Sequence, residues 1–592
     1  MSPAPRIYTS HVPDVHIPNT SLFTYLFGSR AGPDDVGGYS GSSNAFVDAA
    51  TGTTVTRSHL KHLCLSFAHG IRTHPTMRPF AKRGDTVLVF SPNSLAWPVV
   101  VYGAIAAGAR CTLANSAYTR PELAFQYRDS GAKLVLTSEE GISVVRAMFN
   151  ELGMSKAEAT KRIVVLSRDL RWAGGPAAAQ AADAAGLVSL SDLLSLGTME
   201  KEEKFDGTAD TETVLLCYSS GTTGTPKSTH QNMTGLAEIT KFCSPPIPSE
   251  RPMLAILPFY HIFGAGNILV GMFSLGRCIV VQARFNPIEF CANVEKYRVG
   301  FAFIVPPVLV VLARHPAVDK YNLSTLEYML SGAAPLGADL TEAVRKRLLS
   351  KRKPGAKCFI MQGYGLTETS PSTHTLDWDS SIAKVGSCGY LLPTVKARLV
   401  VDEDGGVDAE EGKPGELWVQ GKTVMKGYLN NPEATKNSIT PDGWFKTGDI
   451  AVRDNDGYWY IVDRKKELIK YKVLPPAELE AVLLTHPDIA DAGVVGVDSV
   501  EQATELPRAY VVHANPEKVK TTQAKAAFGQ SVAKWIETRV ARHKYLRGGV
   551  AVIDVVPKSA AGKILRKELR ERAKQEAARG ETDGAYQTKA KL

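Results

Sequence analysis

The chain has no apolar stretch long enough to cross a bilayer. Its two longest apolar runs, Ala96 to Ala109 and Phe301 to Ala313, are short and carry prolines, so they are expected as buried core elements and no membrane helix is expected. Closely spaced cysteines are missing too. The eight cysteines stand at 64, 111, 217, 243, 278, 291, 358 and 388, a scatter that speaks against a zinc site and suits a reducing intracellular compartment. Met1 to Arg6 lacks a basic segment followed by an apolar core, so no secretory leader is expected. Compositional bias is likewise absent: 44% hydrophobic and 22% charged residues are those of a globular protein.

The net charge is +9, but residues 541–592 hold 13 Lys and Arg against 6 Asp and Glu, so +7 of it sits at one end. No interleaved aromatics, zinc-ligand spacing or RNA-binding signature accompanies this excess, so nucleic acid is not an expected partner. Lys563 to Arg579 alternates charge in the manner of a solvated helix face, and part of the excess can serve small anionic ligands.

At 592 residues the chain exceeds one ordinary core, so at least two domains are expected. Residues 40–210 alternate apolar strand-like runs (Thr86 to Phe90, Lys133 to Thr137, Arg162 to Ser167) with amphipathic stretches, the pattern of parallel βαβ units. The alternation continues through Met253 to Leu257, Arg277 to Val281 and Gly300 to Val305. Trp172 to Gly197, rich in Ala and Gly, reads as a surface insertion with a helical portion. From Lys396 the texture becomes short strands with turn signals at Asp402 to Gly406 and Asp454 to Gly457, as in hairpins of a small β subdomain.

The most informative run is Tyr218 to Lys227, YSSGTTGTPK. Glycines let the backbone turn N–H groups toward an anion, hydroxyls donate further bonds, and Lys227 supplies a mobile point charge. The loop follows a strand-like segment, Thr213 to Tyr218, and precedes a helix-compatible one from about Met233 to Phe242. Gly221 to Ser228 approaches the G-x-x-x-x-G-K-[ST] nucleotide loop, but Pro226 stands where its second glycine belongs. Proline removes a donor and fixes φ there, which argues against a P-loop NTPase.

Four further motifs follow in order: Gly363 to Thr369 (GYGLTET), Gly443 to Asp449 (GWFKTGD), Asp463 to Lys470 (DRKKELIK) and Pro557 to Lys563 (PKSAAGK). Together the five resemble the adenylate-forming superfamily, and within it the acyl-CoA synthetases of the 4-coumarate-CoA ligase and luciferase branch, over roughly Tyr25 to Leu569. The resemblance implies an α/β fold: a large multi-layer N-terminal domain of mostly parallel sheets with a small β subdomain (1–463), a hinge (464–467) at Lys466, a small mobile α+β C-terminal domain (468–580), and a flexible tail (581–592).

It also implies the chemistry. A carboxylate attacks the α-phosphate of ATP to give acyl-AMP and pyrophosphate, then the thiol of CoA displaces AMP, so catalysis rests on positioning and electrostatic clamping. Ser219, Ser220, Gly221, Thr222, Thr223, Gly224 and Lys227 would cradle the leaving phosphates. Glu368 would hold Mg2+ and Thr367 the α-phosphate. Asp449 would accept both ribose hydroxyls, Arg464 would reach ribose or phosphate, and Gly332, Ala333, Gly363 and Tyr364 would flank the adenine. Lys563 would bridge carboxylate and α-phosphate, with Lys470 and His261 also among the catalytic residues. Tyr260, His261, Phe303, Gly332 and Gly363 are the candidate acid-pocket walls, for an aryl or medium-chain acid.

Taken alone, several of these have plainer readings. Ser331 to Pro335 is a turn, His261 a core histidine, Lys563 a surface lysine. Two departures from the family pattern stand out: Lys227 to Asn232 is three residues shorter, and the segment between Lys472 and Pro476 is two shorter and lacks a glycine and an amide. These leave open an enzyme that stops at the adenylate or passes it to another thiol, and a catalytically dead binding protein. Ala590-Lys591-Leu592 nearly matches the Ser-Lys-Leu peroxisomal address, so an import receptor is an expected partner and the peroxisome the expected location, the cytoplasm otherwise.

Overall fold

The computed structural model of the chain describes residues 5–218, 224–469, 474–499, 504–559 and 562–579. Two large, mostly parallel sheets dominate. One has seven strands, and its five central ones, Ile163–Leu166, Ala132–Ser138, Thr86–Phe90, Arg110–Ala114 and Thr213–Cys217, run parallel. Each reads as a nearly continuous apolar run, and Thr86–Phe90 is buried along its whole length, as a strand covered on both faces must be. The helix Ala96–Ala106 is buried at every residue, which is why its sequence carries no polar face.

The second sheet has nine strands. Six are parallel in the order Phe359–Gly365, Tyr328–Ser331, Phe301–Ile304, Met253–Ala255, Ile279–Val281 and Asn44–Asp48. A single apolar core joins these sheets, with Trp97, Phe46 and Phe259 fully buried; each such side chain contributes about 1.5–3 kcal/mol relative to exposure.

The small β unit is a five-stranded antiparallel sheet, Tyr8–Thr9, Val395–Val400, Gly415–Gly421, Phe445–Arg453 and Trp459–Arg464. Both turn signals fall between its strands. Phe445–Arg453 alternates buried and half-exposed residues, the signature of a strand with one face in a core, and this places Asp449 on the inner face with Phe445 and Thr447. The N-terminal Tyr8–Thr9 was not expected in this sheet; it docks because the Tyr8 ring packs edge-on against buried Trp459. A last three-stranded sheet, Ile489–Ser499, Thr504–His513 and Val550–Val552, closes the chain.

One reading needs correction. Trp172 to Gly197 is not merely a surface insertion: Val188–Ser189 pairs in parallel with Ile163–Leu166 at the edge of the seven-stranded sheet, and the helix Leu190–Leu194 buries Leu190 and Leu193. The helix is the helical portion expected there, with its two leucines on one apolar face.

Candidate active site

A cavity of about 1170 Å³ opens where the nine-stranded sheet, the antiparallel sheet and the last unit meet. Its floor is built from the carboxyl ends of parallel strands, the usual ligand position in such sheets. Gly332 and Ala333 follow Tyr328–Ser331, and Gly363 and Tyr364 end Phe359–Gly365 before Thr367 and Glu368. Phe303, His261, Arg464, Lys466 and Lys563 also line it. Ala333 holds φ at 68°, a left-handed value that a β-carbon resists, so the turn after Ser331 is fixed by its surroundings.

Asp449 is 3% exposed. Its Oδ2 accepts from the Tyr364 hydroxyl at 2.5 Å, and its Oδ1 pairs with Arg464 Nε at 3.1 Å. Cross-strand register sets Asp449 opposite Arg464, so the pair follows from adjacent antiparallel strands. Burial pushes this carboxyl up, and Arg464 and the Tyr364 hydroxyl pull it back. Glu368 is likewise pushed up by burial, opposed by the Tyr428 hydroxyl, which donates to Oε1 at 3.0 Å.

Lys563 projects from a tight turn in which the Gly562 N–H reaches the Ser559 carbonyl at 2.8 Å and the Lys563 N–H reaches Ser559 Oγ at 3.2 Å. Gly562 is required there: its φ is +79°, and a β-carbon would stand 3.3 Å from Pro307 Cγ. Burial pushes the lysine ammonium down, as does neighbouring Arg464, while Glu467 and Asp449 hold it up. Behind the turn, buried Arg566 pairs with Glu480 at 2.6 Å and with Glu467.

His261 accepts the Phe263 N–H on Nδ1 at 3.2 Å, which puts the proton of the neutral ring on Nε2. Burial, then Lys563, pushes its pKa down to about 4, so it is neutral at physiological pH.

The site thus gathers His261, Phe303, Gly332, Ala333, Gly363, Tyr364, Thr367, Glu368, Arg464, Lys466 and Lys563 around one cavity, with Asp449 directly behind Tyr364. Asp449, Lys227 and Tyr260 are not themselves among the lining residues. Lys227 sits on the three-residue strand Lys227–Thr229, and burial with Lys426 and Arg110 lowers its pKa. Gly224 lies against the Tyr428 ring, 3.2 Å from where a β-carbon would stand. Ser219, Ser220, Gly221, Thr222 and Thr223, Lys470 with the shortened segment through 473, and Ala590 to Leu592 lie outside the described residues.

Sequence reasoning missed Tyr428, Asn267 and Ser372. Tyr428 joins the end of the phosphate loop to Glu368. Asn267 stands on a π-helical segment, Phe263–Met272, where Ser372 Oγ donates to its Oδ1 at 3.3 Å. An irregular helix at a cavity wall often accompanies function; the one available signal was a lone polar residue inside an otherwise apolar run.

The sequence profile described as AMP-binding enzyme matches residues 37–429, and that described as AMP-binding enzyme C-terminal domain matches residues 478–563. The chain is 33% identical to a 4-coumarate-CoA ligase 1 of Narcissus pseudonarcissus, covering 97% of this chain and 98% of that one. It is 34% identical to a 4-coumarate–CoA ligase 1 of Petroselinum crispum over 96% of each. Among solved structures, an anthranilate CoA ligase in complex with anthranoyl-AMP superposes with a TM-score of 0.76 at 20% identity, covering 91% of this chain and 95% of that one. A benzoate CoA ligase from Burkholderia xenovorans superposes at 0.73 with 23% identity, over 93% and 99%.

Proposed function

The chain belongs to the family of AMP-binding enzymes, and from that premise we propose that it is an ATP-dependent ligase that converts a carboxylic acid into an acyl-adenylate and then into a CoA thioester. The observation that carries this reading is the position of Lys563, delivered by the last unit of the chain into the cavity that Glu368, Tyr364 and Arg464 line. In the first half-reaction an acid oxygen bonds to the α-phosphorus and the bond to pyrophosphate breaks. Lys563 and Thr367 stabilise the charge that gathers on the α-phosphate, and Arg464 orients it. Asp449, presented on its strand's inner face, accepts the ribose hydroxyls. In the second half the CoA sulfur bonds to the acyl carbon, and AMP leaves with the C–O electron pair.

Mg2+ fits this site. Glu368 offers one half-buried carboxylate, and no cluster of three metal-binding side chains exists among the described residues; Mg2+ usually takes one or two protein carboxylates and completes its shell with phosphates and water. When bound it would neutralise phosphate charge, and Glu368, steadied by the Tyr428 hydroxyl, would hold it.

Phe263, Phe303, Leu236, Ile239 and Met272 form an apolar part of the cavity wall, which supports an aryl (cinnamate- or phenylacetate-like) or medium-chain acid. Asn267, with its Oδ1 taken by Ser372, has no acceptor for its amide N–H among the described residues. Asn267 lines the cavity, and its side-chain N–H can donate to an oxygen of a bound acid, so acids with a distal oxygen should be favoured. Asn267→Leu is expected to reverse the preference between a hydroxylated aryl acid and its unsubstituted analogue, by about 10- to 100-fold in kcat/KM; equal losses for both acids would remove Asn267 from recognition.

The reading itself is tested by acid-dependent pyrophosphate exchange across aryl and fatty acids, followed by thioester detection with CoA. Exchange without thioester would favour an adenylate-forming enzyme that uses CoA poorly, as the shortened segment before Pro476 suggests. Absence of exchange with every acid would reject the ligase. The last three residues support import into peroxisomes; a fluorescent reporter carrying the last ten residues should become punctate, and a diffuse one rules the address out.

A further inference from the structure

Lys563 is carried by a unit with its own three-stranded sheet and its own apolar core around Leu479, Leu483, Val494, Val511 and Ile536. One helix of the larger unit, Pro306–Arg314, meets this unit at both ends. At its start, Pro307 supports the lysine turn beneath Gly562. At its last residue, the Arg314 guanidinium donates to the Leu484 carbonyl at 2.7 Å and to the Ile489 carbonyl. A nine-residue helix is a stiff bar about 13 Å long, so both contacts are set by one rigid element.

The far contact has a specific electrostatic logic. Leu484 is the C-cap of the helix Pro476–Leu483, and its carbonyl belongs to the last turn, where acceptors lack intrahelical partners and the helix dipole is negative. A planar cation with several fixed donors suits two such carbonyls better than an ammonium does. Among the described residues Arg314 meets no carboxylate that would draw it away. Its own helix end is held from behind by Arg347, which donates to the carbonyls of Leu312 at 3.1 Å and His315 at 3.0 Å. Other contacts across the seam are the Ala477 N–H on Asp463 Oδ2 at 3.1 Å and the approach of Ala481 to Gly337.

We propose that Arg314 is a positioning residue that docks the lysine-bearing unit by a helix C-terminus and thereby sets where Lys563 enters the cavity, without touching any reactant. This rests on the ligase reading for its catalytic consequence. If Lys563 acts on the α-phosphate in the first half-reaction, loosening the dock slows that half alone. Arg314 is itself exposed to solvent, so the effect is moderate.

The test compares wild type, Arg314→Met and Arg314→Lys in acid-dependent pyrophosphate exchange, in thioester formation from chemically prepared acyl-AMP, and in the rate of tryptic cleavage at the exposed pair Lys465 and Lys466. Arg314→Met is expected to slow exchange about tenfold at unchanged KM for ATP, to leave thioester formation within about twofold, and to speed cleavage. Arg314→Lys should recover part of each loss. Parallel decline of both half-reactions, or exchange and cleavage like wild type, overturns the proposal. Failure of the wild type to exchange with any acid would instead reject the ligase reading, while the cleavage rates still decide whether Arg314 docks the unit; a melt of each variant separates docking from unfolding.

Discussion

Lys563→Ala is expected to reduce acid-dependent pyrophosphate exchange by a factor of 10³ or more, on the order of 4 kcal/mol of transition-state stabilisation, while ATP affinity measured by calorimetry changes little. The side chain is positioned against charge that appears only as the α-phosphorus is attacked, so its removal acts on the barrier and not on binding. Equal loss of ATP affinity would contradict the role. The same geometry makes the apo protein's stability move the other way for Lys563→Met. Burial and Arg464 both disfavour the ammonium, so the folded-state pKa lies below the unfolded one. The cost is fully present below the folded pKa and is relieved as pH rises from the folded toward the unfolded value. Replacing the ammonium by a thioether should therefore raise the melting temperature at pH 7 and leave it unchanged at strongly alkaline pH; a lower melting temperature at pH 7 would mean the lysine's ion pairs outweigh its desolvation.

Asp449→Ala is expected to weaken ATP binding by about 30- to 1000-fold, the equivalent of two charge-assisted hydrogen bonds. It also strips Arg464 and the Tyr364 hydroxyl of their shared acceptor, leaving a cation and a donor at the nucleotide wall without a partner. Asp449→Asn retains the shape and an acceptor for Tyr364 but not the charge, and should fall between the two. Undiminished ATP affinity in Asp449→Ala would take Asp449 out of the site.

Much of the architecture was legible because buried parallel strands write themselves as uninterrupted apolar runs, and Thr86 to Phe90 can be little else. The antiparallel unit was legible from its turns; Asp449 was read as functional from its place in the Gly443 to Asp449 motif, and only the structure shows the strand alternation that turns it inward. What escaped detection depends on contacts between distant segments. Nothing local to Tyr428 announces a hydrogen bond to Glu368, and nothing local to Arg314 announces two carbonyls in another unit. Asn267 was hidden differently, since a single amide in an apolar helix carries no periodicity. The helical portion read in Trp172 to Gly197 is the helix Leu190–Leu194, but a two-residue edge strand, Val188–Ser189, is too short to leave an alternation in the sequence.

The pairing of Tyr8 with Ala397 has a consequence for the chain as it is made. At about 5–20 residues per second on the ribosome, Tyr8–Thr9 waits roughly 20 to 80 s for its partner strand to emerge. Until then one edge of the future antiparallel sheet has no template, and Trp459, against which Tyr8 closes, has not been synthesised at all. Vectorial folding therefore proceeds through the two parallel sheets first, and the beginning of the chain is among the last pieces to be stitched in. A bulky fusion placed before Tyr8 would burden this late step and leave the earlier ones untouched.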